Sequence, residues 1–368
     1  MPKVMLAGGG TGGHLFPAIA LAEELKRRKP DVEILFVGTK RGLEPKLIPQ
    51  MGYRLLFLEV RGLRRKVDVR NLLFFYYLAR SLRQAKSILE IEKPDVVVGT
   101  GGYVSGPPLY CARRLKIPTI IQEQNSYPGL TTRWLAKGAD KVFLAYPESK
   151  RYFKRQNNLE VVGNPVRCDF NQIDKTQAKK SMKIDQNKKV ILILGGSQGS
   201  VALNQSILEN LALLEGQSWL QIIWQTGERD YSRIKATLDL KNLPITAMSF
   251  IQDMGTAYAA CDLVVSRAGA LTLSEITLCG KPSLLIPYPH AAADHQRHNA
   301  EALVKAGAAN MIFERDLPGQ NLVKRMLGLA QDQKKLESMS AQSIKLGKPD
   351  SLHRIVNEIL KYINRAEN

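Results

Sequence analysis

The sequence predicts an α/β protein built from two doubly wound domains. Three observations carry that expectation. Short apolar strands alternate with helical patterns along the 368 residues, a strand–glycine turn–helix unit opens each half, and a polar stretch divides the halves. Strand–helix alternation implies parallel sheets with helices on both faces.

The first half opens with Lys3–Ala7 (KVMLA), a short buried strand. GGGTGGH follows, and then Leu15–Arg28, whose apolar residues recur at helical spacing. The strands EILFVG, DVVVGTGG, TIIQE, KVFLAY and VVGNP come next. Their unbroken apolar runs suit strands covered on both faces. A stretch rich in Lys, Asn, Gln and Asp, Asp169–Lys189, precedes a restart at Val190 with VILILGGSQGS. LQIIWQTG, ITAMSF, DLVVSR, SLLIPY and ANMIF complete the second set. The expected domains are 1–166 and 167–349, with a helix over about 350–368 packing back on the first. Two such domains facing each other would gather their glycine loops around one cleft.

Composition narrows the class. An apolar fraction of 44% is ordinary for a soluble globular chain. Cys111, Cys168, Cys261 and Cys279 form no CxxC pair and read as reduced cytoplasmic thiols. The N-terminus lacks the layout of a secretory leader, and no apolar run is long enough to span a bilayer. Fifty-three basic residues against 34 acidic ones give +19, which calls for an anionic partner. Eight of the basic residues fall between Arg61 and Lys86 (Arg61, Arg64, Arg65, Lys66, Arg70, Arg80, Arg83, Lys86), around LLFFYYL, Leu72–Leu78. Seven large apolar residues on a helix point in all directions. One reading is a helix docking into an anionic membrane interface, and the other is a core helix with a wide apolar face. Nucleic-acid binding would interleave aromatic and basic residues on a sheet or groove, and no such pattern is present.

The chemistry-bearing residues cluster at the loops. Bare backbone at Gly8–Gly13 and a helix N-terminus behind it make a site for an anion or polar ligand. Gly8, Gly10 and Gly13 also satisfy GxGxxG, with Asp31 and Glu33 near the place of a ribose acid, though that pattern alone is weak. A tight turn with no ligand is the other reading. His14, at the end of the turn, is of the residue type that most often serves as a general base, or else simply holds the turn. The loop Gly195–Gly199 with Ser197, and a helix starting near Gly269, could stabilise a diphosphate leaving group. Arg167 would add a charged contact, or be a surface arginine. Glu275 could accept both hydroxyls of a ribose, or be a first-turn helix acid. His290, His295 and His298 beside Asp294 invite a metal, but a clear fourth ligand is lacking; neither metal nor cofactor is expected.

GGGTGGHLFPAIALAEEL, VVVGTGGYVSGPPLYCA, IIQEQNSYPGLTTRWLAKGADKV, VVGNPVR, LILGGSQGSVALN, SRAGALTLSEITLCGKPSLLIPYP and DHQRHNAEALVKAGAA resemble, in order, the MurG family of N-acetylglucosamine transferases. The likeness runs from about Pro2 to Ala309 and is weakest over 169–189 and beyond 310. It implies a GT-B glycosyltransferase with its active site between two Rossmann-like domains. The implied donor is UDP-N-acetylglucosamine (UDP-GlcNAc). The implied acceptor is undecaprenyl-pyrophosphoryl-N-acetylmuramoyl-pentapeptide (lipid I). Inverting transfer to the muramoyl O4 would form lipid II for peptidoglycan synthesis, and so serve cell shape and division. The enzyme would sit peripherally on the cytoplasmic face of the cell membrane, with other wall-synthesis proteins left open as partners.

The resemblance also distributes the roles. His14 and Glu123 are rival bases, and Thr11, Gly12, Gly13 and Asn125 line the substrate. Arg167 and Ser197 meet the diphosphate. Ile251, with Phe250, offers main chain to uracil. Ala270, Leu271, Thr272, Leu273, Ser274 and Glu275 carry phosphate and ribose, and Gln296 the sugar hydroxyls. A transferase for another lipid acceptor, such as diacylglycerol, shares the fold, but GGYVSGP and EQN argue against it. An NAD-dependent oxidoreductase would leave GGSQG and GALTLSE idle, and a membrane scaffold would leave both nucleotide-type loops without a task.

Overall fold

The computed structural model describes residues 1–61, 72–166, 173–196, 198–291, 294–319 and 321–367. It resolves into two compact units, Met1–Val166 with Asp350–Asn368, and Arg167–Pro349. The first contains β1 (Lys3–Gly8), α1 (Gly12–Arg28), β2 (Glu33–Gly38), α2 (Glu44–Gln50), β3 (Arg54–Phe57), α3 (Leu72–Glu92) and β4 (Val96–Gly101). After these come α4 (Gly106–Arg114), β5 (Thr119–Glu123), α5 (Leu130–Leu135), β6 (Lys141–Leu144) and β7 (Leu159–Val161).

Its seven strands pair in parallel in the order β3-β2-β1-β4-β5-β6-β7. Val4, Met5, Leu6 and Ala7 of β1 and Val96, Val97 and Val98 of β4 are wholly buried, because helices cover both faces of the sheet. The strand order reverses between β1 and β4. At such a switch point the loops after the two strands diverge and leave a crevice at the carboxyl edge.

The second unit contains α6 (Lys175–Ser181), β8 (Lys189–Leu194), α7 (Val201–Leu208), β9 (Leu220–Gln225), α8 (Glu228–Asp239), β10 (Ile245–Met248) and α9 (Met254–Ala260). It continues with β11 (Leu263–Ser266), α10 (Ala270–Leu278), β12 (Ser283–Leu285), α11 (His295–Lys305), β13 (Ala309–Met311), α12 (Asn321–Gln331) and α13 (Gln333–Leu346). Six parallel strands run in the order β10-β9-β8-β11-β12-β13, with the reversal between β8 and β11. Ile191, Ile193, Ile222, Trp224, Leu263 and Val265 fill one side of that sheet, and Val190, Leu192, Val264 and Leu285 the other.

A last helix, α14 (Ser351–Glu367), belongs to the first unit. Ile355, Val356, Ile359 and Ile363 are buried at helical spacing. Ser351 Oγ donates to the Val162 carbonyl at 2.6 Å, and Arg28 Nη1 donates to Asn357 Oδ1 at 2.6 Å.

Three details depart from the sequence reading. β3 was not expected; RLLF is a four-residue edge strand whose residues are all partly exposed, so it lacks a buried strand's apolar run. The strand expected at VVGNP lies earlier, at Leu159–Val161, because Gly163 (φ +97°) turns the chain. Helix α1 starts at Gly12, three residues before its first large apolar side chain. Among the described residues no helix is long and apolar enough to cross a membrane.

Candidate active site

The first glycine turn follows β1 at the switch point. Thr11 caps α1 in an extended conformation, and its carbonyl accepts from the N–H groups of His14 (3.2 Å) and Leu15 (3.1 Å). The N–H groups of Gly12 and Gly13, at the start of the helix, precede any helical acceptor. Gly10 (φ +83°) donates its N–H to Glu44 Oε1 at 2.5 Å. Glu44 is 1% exposed and lies so close beneath the turn that a Cβ on Gly9 or Gly42 would fall inside its carboxylate. Its Oε2 is buried with no hydrogen-bond partner among the described residues. Nothing in RGLEPKLIP marks this floor; Glu44 reads there as an ordinary first-turn helix acid.

His14 projects from the first turn of α1 and is half-buried. Its ring rests on Gly101 (φ +105°) and Gly102 (φ +78°), where only glycine leaves room. Nδ1 lies 3.0 Å from Gln124 Oε1, and Thr100 Oγ1 donates to the His14 carbonyl at 2.7 Å. Glu123, the rival base, is buried at the end of β5. Its Oε1 accepts from the backbone N–H (3.1 Å) and side-chain amide (3.2 Å) of Asn125, and its Oε2 from Gly129 N–H (3.2 Å). Both carboxylate oxygens therefore shape the loop that leads into α5 and hold Asn125.

The dinucleotide reading fails on topology. Glu33 begins β2 and pairs with Lys3 (3.1 Å) and Arg54 (2.7 Å). At about 3.3 Å per residue, the six-residue strand puts it some 16 Å from the carboxyl edge where the glycine turn lies. Asp31 lies still further back, in the turn before β2.

In the second unit Gly195, Gly196 (φ +90°) and Gly199 (φ +76°) form the turn after β8. Ser200 Oγ caps α7 at the Leu203 N–H and also accepts from Arg267 Nη2 at 2.7 Å. Arg267, at the end of β11, further donates to the Ile286 carbonyl at 3.2 Å and pairs with Glu314. Sequence reasoning quoted this arginine but gave it no role. Arg167 and Ser197 lie outside the described residues, as do Arg64, Arg65, Lys66 and Arg70.

Gly269 caps α10 without a side chain, so the helix opens at bare backbone around Ala270, Leu271 and Thr272. Leu273 is wholly buried, its N–H bonded to the Gly269 carbonyl at 3.0 Å, and so packs the core. Ser274 Oγ bonds back to the Ala270 carbonyl at 3.0 Å. Glu275 is half-buried, and its Oε2 accepts from Tyr258 Oη at 2.9 Å. Burial, then the Glu275 charge, pushes the Tyr258 hydroxyl well above its ordinary range, so it acts as a donor.

Ile251 is buried and donates its N–H to Gln225 Oε1 at 2.9 Å, while Gln225 Nε2 donates to the Gly196 carbonyl at 3.0 Å. One amide thus ties the glycine turn to the strand end where uracil was expected. Gln296 Oε1 accepts from Tyr288 N–H at 3.0 Å, which fixes the side chain near the start of α11. Of the histidine group, His298 Nδ1 lies 3.6 Å from Glu301 Oε2. No three His, Cys, Asp or Glu among the described residues are placed to hold a metal ion.

Residues 4–144 match the glycosyltransferase family 28 N-terminal domain, and residues 190–355 the C-terminal domain of the same family. A relative from Acetivibrio thermocellus is 40% identical over 98% of each chain. One from Chlorobaculum parvum is 44% identical over 97% of this chain and 98% of its own. Both are UDP-N-acetylglucosamine–N-acetylmuramyl-(pentapeptide) pyrophosphoryl-undecaprenol N-acetylglucosamine transferases. The crystal structure of Acinetobacter baumannii MurG superposes with a TM-score of 0.77 at 28% identity, over 98% of this chain and all of that one. A UDP-GlcNAc 2-epimerase from Neisseria meningitidis shares the fold at a TM-score of 0.66 and 18% identity, over 98% of this chain and all of that one.

Proposed function

Given that the chain belongs to the MurG family of UDP-N-acetylglucosamine–N-acetylmuramyl-(pentapeptide) pyrophosphoryl-undecaprenol N-acetylglucosamine transferases, we propose a division of labour among its residues. The protein is a GT-B glycosyltransferase that moves N-acetylglucosamine from UDP-GlcNAc to lipid I and so forms lipid II. His14 is the general base. Its Nε2 takes the proton of the muramoyl O4 hydroxyl as that oxygen attacks C1 of the donor sugar. The C1–oxygen bond to UDP breaks with its electron pair, and the new bond forms on the opposite face, which inverts the centre. Thr11, Gly12 and Gly13 offer backbone to the acceptor's pyrophosphate and muramoyl group, and Asn125, held by Glu123, orients the reacting sugar.

The departing diphosphate carries the charge that builds in the transition state. The N-terminal turns of α7 and α10 supply the N–H groups and positive potential to meet it. Arg167 and Ser197 join them by family resemblance. Glu275 takes the ribose hydroxyls, Ile251 offers its carbonyl to the uracil N3–H, and Gln296 donates its amide to the sugar.

The observation that carries this reading is the open Nε2 of His14, which has no protein partner among the described residues, beside a turn of bare backbone. Glu123 has both oxygens engaged. With labelled UDP-GlcNAc and a soluble lipid I analogue, His14→Ala should lose about 10²–10⁴-fold in kcat with the donor KM little changed. Parental turnover in a folded His14→Ala protein would return the role to Glu123.

Lipid I is bilayer-bound, so the enzyme works at a surface. Phe75 (64% exposed) and Tyr76 (58%) project from the start of α3, while Ser81, Ala85 and Leu89 face inward. Leu72–Leu78 docks into the cytoplasmic face of the membrane, with Arg61, Arg80 and Arg83 meeting anionic headgroups at about 1 kcal/mol each. Replacing Phe74, Phe75 and Tyr76 with serine should weaken binding to anionic vesicles and spare turnover of a soluble acceptor. Unchanged vesicle binding would place the dock elsewhere.

A further inference from the structure

A neutral imidazole is a base at one nitrogen only, the one without the proton. Which nitrogen that is depends on the partner of the other. At His14 the partner of Nδ1 is Gln124, and a glutamine amide can present either an acceptor or a donor. Two chains of hydrogen bonds, each anchored on backbone carbonyls, decide which.

The first is direct. The Gln124 side chain is buried, and its Nε2 donates to the Thr100 carbonyl at 2.6 Å and the Gln122 carbonyl at 3.1 Å. Both are acceptors only, so the amide nitrogen must face them and Oε1 must face His14. The second runs through the neighbouring amides. Asn164 Nδ2 donates to the Gln124 carbonyl at 3.2 Å, which turns Asn164 Oδ1 toward Gln122 Nε2 at 2.8 Å. Gln122 Oε1 is then left to accept from Gln124 Nε2. The two chains agree.

We infer that Gln124 is a positioning residue that fixes His14 as the Nδ1–H tautomer and so leaves Nε2 unprotonated toward the substrate. This deepens the reading of His14 as the base and rests on it. Free histidine favours the opposite tautomer, with the proton on Nε2, which would aim a donor at the hydroxyl to be deprotonated. Thr100 serves both ends: its carbonyl holds the Gln124 amide while its hydroxyl holds the His14 backbone. A carboxylate at this position would raise the ring's basicity; the amide sets the proton's place without adding charge.

The direct test reads the parent protein, with His14 and Gln124 both in place. Nitrogen-15 NMR of the histidine-labelled protein, above the titration range of the ring and assigned with His14→Ala, should show protonated Nδ1 and unprotonated Nε2. The reverse pattern overturns the inference. Gln124→Met keeps length but loses the acceptor, and should lower kcat about 10- to 100-fold with the donor KM within about twofold. Gln124→Glu restores an acceptor, should regain part of that rate, and should move the acid limb of the kcat/KM profile upward. A merely structural glutamine would not move that limb. Parental turnover in Gln124→Met also overturns the proposal. Parental turnover in His14→Ala overturns the base assignment instead, because the ring-nitrogen shifts report the tautomer independently of activity.

Discussion

Placing a methyl group at Gly101 tests the seat of the His14 ring, the base proposed above. An alanine Cβ there would lie 2.6 Å from His14 Nδ1 and 2.9 Å from Cε1. Ordinary contact begins near 3.5 Å, so the ring must retreat by roughly 1 Å. The retreat breaks the 3.0 Å contact with Gln124 and displaces Nε2 by a similar amount, away from the position proposed for it as the base. A misplacement of that size costs about 100-fold in rate. Separately, φ of +105° is strained for any L side chain, at about 1–2 kcal/mol of stability.

Gly216→Ala is the control. It has a positive φ of +73° in a remote turn with nothing within 4 Å of its Cβ. Turnover with labelled donor and a soluble acceptor, with donor KM and urea unfolding for both variants, separates strain from clash. Both should lose stability from the strained φ, Gly101→Ala the more because of the clash, and only Gly101→Ala should lose kcat. Parental kcat in Gly101→Ala would refute the seating of His14 and the role that rests on it.

Tyr258→Phe removes the buried donor to Glu275, and should raise the donor KM about 10-fold while kcat holds, the worth of a hydrogen bond to a charged group; an unchanged KM would detach Tyr258 from ribose binding. The Glu24 carboxyl is held at about 2, chiefly by hydrogen bonding from Arg27, with burial opposing and Arg28 adding. A depressed carboxyl stabilises the fold above its unfolded value of 4.5 and loses that contribution as pH falls toward 2. Glu24→Gln should therefore be less stable near neutrality and lose part of the parent's acid sensitivity in that window, read by urea unfolding against pH. Release of UDP in the presence of the soluble acceptor should persist after chelation, since helix N-termini meet the diphosphate; complete arrest restored by magnesium would count against that site.

Much of the fold was legible because parallel strands covered on both faces leave unbroken apolar runs, as in KVMLA and VILIL. The glycine turns were legible because conformational demand is written in the residue type. β3 was not, since an edge strand half in water needs no such run. The roles of Gln124, Gln225 and Tyr258 were hidden for another reason. Their meaning lies in which carbonyl or carboxylate they reach across 17 to 29 residues of sequence, and nothing in the local pattern fixes that. Glu123 and His14 stand as rival bases in the sequence, and their different hydrogen-bond partners appear only in the fold.

The place of α14 bears on how the chain is made. The first unit is closed by residues synthesised after the whole of the second. While ribosomes extend Arg167–Pro349, the α1 face that will receive α14 waits uncovered, exposed to chaperones or to stray contacts. The second unit, being continuous, can fold first. A fragment ended at Val166 would carry every strand of its sheet and still lack its closing helix, so the unit that carries His14 and Gln124 should be expressed with α14 supplied, in cis through a short linker or in trans as a peptide.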